Sequence, residues 1–196
     1  KFDGLAGKVD GAPLIVVGRQ WPGDRQRFTL AHELGHLMLG DRIASTLIEE
    51  IAAQQKRGDP VERLCNRFAG AFLLPRQTVI EHLGTRRQRL ELTELLLLKQ
   101  EYGLSMAACL FRALHADVIS AQTHQELLAL FGRQGWRKQE PGEPYPSEET
   151  FLFKQIVFRA LGEEWIGESK AAELLGIPLG RFHQERKLGV SGAVAH

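Results

Sequence analysis

The chain has 196 residues, 43% hydrophobic and 25% charged, enough for one solid core or a core plus a small module. Twenty-five Lys and Arg against 24 Asp and Glu leave a net charge of +1, so the composition carries no general attraction to nucleic acid or anionic lipid. Two distant cysteines, Cys65 and Cys109, argue against a disulfide framework and fit a reducing cytoplasm; no apolar run approaches membrane-spanning length, and no signal peptide is visible.

Leu14-Ile15-Val16-Val17, between Pro13 and Gly18, reads as a strand, with Phe2–Val9 a weak partner. Trp21-Pro22-Gly23-Asp24 is a loop, and Asp24 is placed to cap a helix from about Arg25 to Leu39 with Leu30, Leu34, Leu37 and Met38 on one face. Gly40 ends it. Ile43–Lys56 reads as a less regular helix. Gly58-Asp59-Pro60 then breaks the chain and starts a helix over about Val61–Leu74, with Asp59 as cap and Pro60 at the first position. Further helices are expected near Arg76–Leu83, Glu91–Tyr102, Met106–His115 and Ala121–Gly132, with no convincing strand after Val17. Three prolines in Glu140–Pro146 suit an extended linker. Ser147 is then expected to cap a helix with Glu148 and Glu149 in its first turn, followed by short helices at Glu168–Leu175 and Leu179–Lys187 and a fraying end over Gly189–His196. Domains are therefore expected at 1–139, with a linker over 140–146 and a helical module over 147–196.

The chemistry concentrates in His32-Glu33-Leu34-Gly35-His36. Two histidines four residues apart on a helix share one side, one turn above the other, so both rings can reach a single zinc ion. Glu33 can lean over such a site, take a proton from the attacking water and hand it to a leaving amine. Gly35 is expected to leave room for a substrate backbone. A catalytic zinc needs a third protein ligand and an open position. No third histidine follows at the extended-motif spacing, so a later carboxylate is expected, with Glu49, Glu50 and Glu62 as candidates and the Cys65 thiolate as a less favoured one. Asn66, one turn from Glu62, suits a hydrogen bond to a ligand or plain helix packing.

Arg27-Phe28-Thr29-Leu30-Ala31-His32-Glu33-Leu34-Gly35-His36-Leu37, followed by Glu62-Arg63-Leu64-Cys65-Asn66-Arg67-Phe68-Ala69-Gly70-Ala71-Phe72-Leu73-Leu74-Pro75, resembles the ImmA/IrrE family of metallopeptidases, with both halves in order. The resemblance runs from about Phe2 to Trp136. It implies a mostly helical α+β fold: a zincin-like core with a small N-terminal sheet, followed by helical modules. It implies one zinc per chain on His32, His36 and Glu62, with Glu33 as general base. It further implies a cytoplasmic endopeptidase that cleaves a helix-turn-helix repressor, encoded nearby or fused upstream, in a stress, mobile-element or toxin–antitoxin-like system. A start at Lys1 would suit loss of an upstream DNA-binding domain.

Around that reading several roles stay open. The strand Leu14, Ile15, Val16, Val17 can take a substrate as an added strand, or be core alone. Tyr102, His115, His124 and Tyr145 are candidate oxyanion donors, and nothing in their spacing selects one. Leu95–Leu114 and Ser169–Lys187 both read helix-turn-helix, the second with Arg181, Arg186 and Lys187. Direct DNA binding is thus an alternative, less favoured because no extended basic face accompanies it. A zinc-containing regulator that binds a partner without cutting it is another.

Overall fold

The computed structural model describes residues 2–39, 59–147 and 149–187. The helix expected over Ile43–Lys56 and the terminal segment Gly189–His196 lie outside the described residues. The chain divides into two compact units, Lys1–Glu148 and Glu149–His196. The first holds strands β1 (Gly4–Val9) and β2 (Ala12–Val17), then helices α1 (Gly23–Leu39), α2 (Pro60–Leu73), α3 (Arg76–Leu83), α4 (Leu92–Tyr102), α5 (Met106–His115) and α6 (Ala121–Arg133). The second holds α7 (Leu152–Gly162), α8 (Glu168–Leu174) and α9 (Leu179–Arg186). The protein is thus mostly helical α+β.

β1 and β2 form an antiparallel hairpin with Gly4 opposite Val17 and Val9 opposite Ala12. Its two-residue turn needs positive φ at both positions, and Asp10 (50°) and Gly11 (82°) provide it. One face of the hairpin turns towards α1, leaving Ile15 and Val17 half-buried; Leu5, Val9, Leu14 and Val16 stay exposed on the other.

α1 begins slightly earlier than the sequence suggests. Its first residue, Gly23, donates its N–H to the Tyr145 carbonyl at 3.2 Å, and a Cβ at Gly23 would run into the Pro146 carbonyl. Asp24 therefore lies inside the first turn instead of capping it. Its buried carboxylate sits 3.1 Å from Lys99 Nζ on α4. Glu140 completes the group, 2.8 Å from the same Nζ. Its two oxygens also accept the N–H groups of Met106 (2.8 Å) and Ala107 (3.1 Å), which would otherwise go unpaired in the first turn of α5. Burial alone would lower the Lys99 pKa; the two carboxylates outweigh it and hold the ammonium above its ordinary range.

These contacts explain why the proline-rich segment is packed. Glu140 is buried in the ion group, Gly142 lies against Leu96, and Tyr145 stacks on Gly103 and under Arg27. Ser147 caps no helix: its hydroxyl faces Gln26 Nε2 at 3.3 Å, and α7 starts only at Leu152.

The core of the first unit sits among α3–α6, with Leu74, Val79, Leu95, Leu104, Leu110, Val118 and Phe131 buried, while Phe28 of α1 packs against it. Gly103 (φ 60°) ends α4 in the left-handed conformation and Ser105 caps α5, so the expected helix–break–helix over Leu95–Leu114 is a packed hairpin of this core. In the second unit α7, α8 and α9 close on Val157, Ala171, Ala172 and Phe182. Arg181 of α9 lies 3.4 Å from Glu185 and Arg186 pairs with Glu168, so two of the three cations considered for DNA contact are matched by carboxylates of the same unit. No helix among the described residues is long and apolar enough to cross a membrane.

Replacing Lys99 by Met keeps the stem but leaves Asp24 and Glu140 buried without their cation. Urea denaturation should show a loss of about 3–5 kcal/mol, the usual effect of removing one partner from a buried ion group.

Candidate metal centre

Two helices build the site. α2 is started by Asp59, whose carboxylate accepts the Val61 N–H at 2.9 Å, and by Pro60, whose fixed φ suits a first helical position. This sets Glu62 in the opening turn and Asn66 one turn on. α1 crosses α2 closely because Gly35 has no side chain: a Cβ there would stand 3.1 Å from Phe68 Cδ1 and 3.3 Å from the Cys65 Cα. Gly35 is buried against α2, so the room it leaves is filled by the neighbouring helix and not by a substrate backbone, as the sequence alone suggests.

At this crossing His32, His36 and Glu62 converge. The two Nε2 atoms stand 3.0 Å apart, and Glu62 places one oxygen 3.2 Å from His32 Nε2 and the other 3.1 Å from His36 Nε2. The rings meet edge to face with centroids 4.8 Å apart. His32 Nδ1 lies 3.0 Å from Asn66 Oδ1. A carbonyl oxygen only accepts, so Nδ1 is the donor in this contact and Nε2 is the nitrogen turned to the cluster.

This arrangement fits a bound zinc ion. Lone pairs that face one another at such distances repel unless a proton or cation lies among them. Ligand atoms about 2.0–2.1 Å from a tetrahedral zinc stand about 3.3 Å from each other, close to the spacings seen. Two imidazoles and one carboxylate are a donor set that zinc accepts, and the half-exposed Glu62 leaves a side open to solvent.

Glu33, next to His32, is half-buried and packs against Gly4 of β1: a Cβ at Gly4 would lie 3.2 Å from Glu33 Cγ and Oε1. Cys65 is fully buried between the helices. Burial first, then the charges of Glu62, Glu33 and Asp59, push its thiol up to about 11, so it is a core thiol. Glu49 and Glu50 lie outside the described residues.

The candidate oxyanion donors have other contacts. Tyr102 OH is 2.7 Å from His82 Nε2, Tyr145 packs on Gly103, and His124 is buried edge-on to Phe111 at 4.5 Å, with the His115 ring tilted to the same Phe111 at 6.1 Å. The Leu14–Val17 segment lies within β2, in the hairpin that packs on α1. Sequence reasoning missed Gly4, although a glycine inside a strand often marks close approach of another element.

The model of the family Peptidase_M78, described as the IrrE N-terminal-like domain, matches residues 2–114. The chain belongs to this metallopeptidase family. Two proteins named Radiation response metalloprotease IrrE are similar to it. The one from Deinococcus radiodurans is 41% identical over 71 residues, covering 36% of this chain and 22% of that protein. The one from Deinococcus deserti is 40% identical over 87 residues, covering 41% and 30%. The aligned part therefore spans less than a third of either relative. No solved structure matches the chain.

Gly35→Val would force α1 and α2 apart at their tightest point. A loss of about 1–3 kcal/mol is expected from overpacking, read by thermal melting, together with weaker zinc binding as Glu62 is drawn away from the two rings.

Proposed function

We propose that the chain is a zinc-dependent endopeptidase, with His32, His36 and Glu62 holding the ion and Glu33 acting as general base. The convergence of the three side chains at 3.0–3.2 Å, on the helix that carries Glu33 beside His32, carries this reading. A zinc ion held there would polarise the scissile carbonyl and make water a usable nucleophile near neutral pH. The protein's own groups have separate tasks. Asn66 fixes the His32 tautomer and ring orientation, so the lone pair on Nε2 is always the one presented. Among the described residues no hydrogen-bond donor or cation is found on the Glu33 carboxylate, which leaves it free to receive a proton from the attacking water and return it to the leaving amine.

The substrate would lie extended along the hairpin. In an antiparallel pair closed by a two-residue turn, hydrogen-bonded and non-bonded positions alternate from Val9–Ala12 onward, so Leu14 and Val16 bond to β1 while the backbone groups of Ile15 and Val17 point outward. These groups can pair with an added strand. The substrate we favour is a helix-turn-helix repressor, encoded nearby or fused upstream, whose cleavage relieves repression in a stress response. The motif resemblance supports this choice, as does the radiation response in the relatives' name.

Purified protein should carry about one zinc per chain. Glu33→Gln should keep the metal and cut repressor cleavage by a factor of about 10²–10⁴, the usual share of a general base. Zinc-free protein, or full activity in that variant, would overturn the proposal. A zinc-loaded protein that binds the repressor and yields no fragments would instead support a non-proteolytic regulator.

Asn66→Ala should weaken zinc binding about 10–100-fold in a competition titration with a chelator, since the His32 ring then loses its orienting partner.

A further inference from the structure

Among the described residues the Glu33 carboxylate packs against the hairpin. No hydrogen bond or ion pair is seen on it among the described residues, and its close contact is with the strand facing it. The packing partner across from it is the backbone of β1 at Gly4. An ideal Cβ at Gly4 would lie 2.5 Å from Thr29 Cγ2, one turn before Glu33 on the same face of α1, and 3.2 Å from both Cγ and Oε1 of Glu33. The first distance is a clash. The second pair is tighter than ordinary contact, and one of its two atoms is the carboxylate oxygen itself.

This need for glycine is one of space. Gly4 is not among the residues with positive φ, so its backbone would accept an alanine. Gly7, three residues along the same strand, has nothing within 4 Å of its Cβ position, and an alanine there meets open space. Of the two β1 glycines, the one facing Thr29 and Glu33 is under steric demand.

We infer that Gly4 is a positioning residue for Glu33: its missing side chain is the slot that lets the carboxylate reach its working place, with Thr29 as the wall below. This deepens the peptidase reading and rests on it. A base displaced by about 1 Å from its reacting atom typically loses rate on the order of 100-fold, while binding contacts elsewhere are untouched. Gly4→Ala should therefore act on kcat and spare KM and zinc content.

The experiment compares four proteins under one assay: the parent chain, Gly7→Ala, Gly4→Ala, and Gly4→Ala combined with Thr29→Ser. The serine removes Cγ2 and with it the clash that threatens folding, but leaves the contact with Glu33 in place. Gly7→Ala should match the parent. The double variant should melt near the parent temperature, bind one zinc, keep KM, and lose kcat about 10–100-fold. Its crystal structure should show the Glu33 carboxylate moved away from β1. Full kcat in the folded, zinc-loaded double variant, or an unmoved carboxylate, overturns the assignment. A parent chain that carries zinc and cleaves nothing overturns the peptidase reading instead, and the carboxylate position in the crystal structure still decides the steric claim.

Discussion

The close crossing of α1 and α2 is the constraint on which the site depends. Side chains on two separate helices converge only if the helices hold a short separation, and here a single glycine allows it. Gly35 meets the backbone of Cys65, and this contact brings the opening turn of α2 beside the two histidine rings. The buried Cys65 and the ring of Phe68 stand against Gly35 at that crossing. A larger residue at Gly35 would leave the His–x–x–x–His pair intact as a sequence and remove its third partner as a structure.

A second, polar anchor secures the other end of α1. Asp24, Lys99 and Glu140 come from three distant stretches of chain, and each is buried or nearly so. The group ties the start of α1 to α4 and α5, where the apolar core lies. Packing of α1 on the hairpin and on α2 would leave its first turn poorly held without such a tie. The two anchors divide the work: one sets the spacing of the donor atoms, the other fixes the helix to the core.

Much of this was legible in the sequence, for identifiable reasons. Helix existence followed from periodicity and caps: Asp59-Pro60 starts α2 and Gly103 ends α4 where turn chemistry places them. The pairing of His32 with His36 follows from helix geometry alone. Among three candidate carboxylates local pattern favoured Glu62, which opens a clean helix after Pro60, and the motif resemblance pointed to the same residue. The features that stayed hidden depend on long-range partners. Asp24 looks like a cap until its cation, far along the chain on α4, is seen to bury it. Gly35 looks like room for substrate until α2 occupies the room. Gly4 lay in a strand that patterning only weakly supported, so its facing partners on α1 could not be named.

The packed course of residues 140–147 bears on how the chain can be dissected. Proline content invites a cut just before Glu140, as though the prolines made only a tether. Such a cut would strip the first unit of the carboxylate that closes the first turn of α5 and of the carbonyl that receives the Gly23 N–H. A fragment ending at residue 139 would thus be a damaged unit, and its failure to bind metal or cleave would say nothing about the second. The division between the two units falls after Glu148, and a peptidase fragment meant to stand alone should carry the whole strap with it.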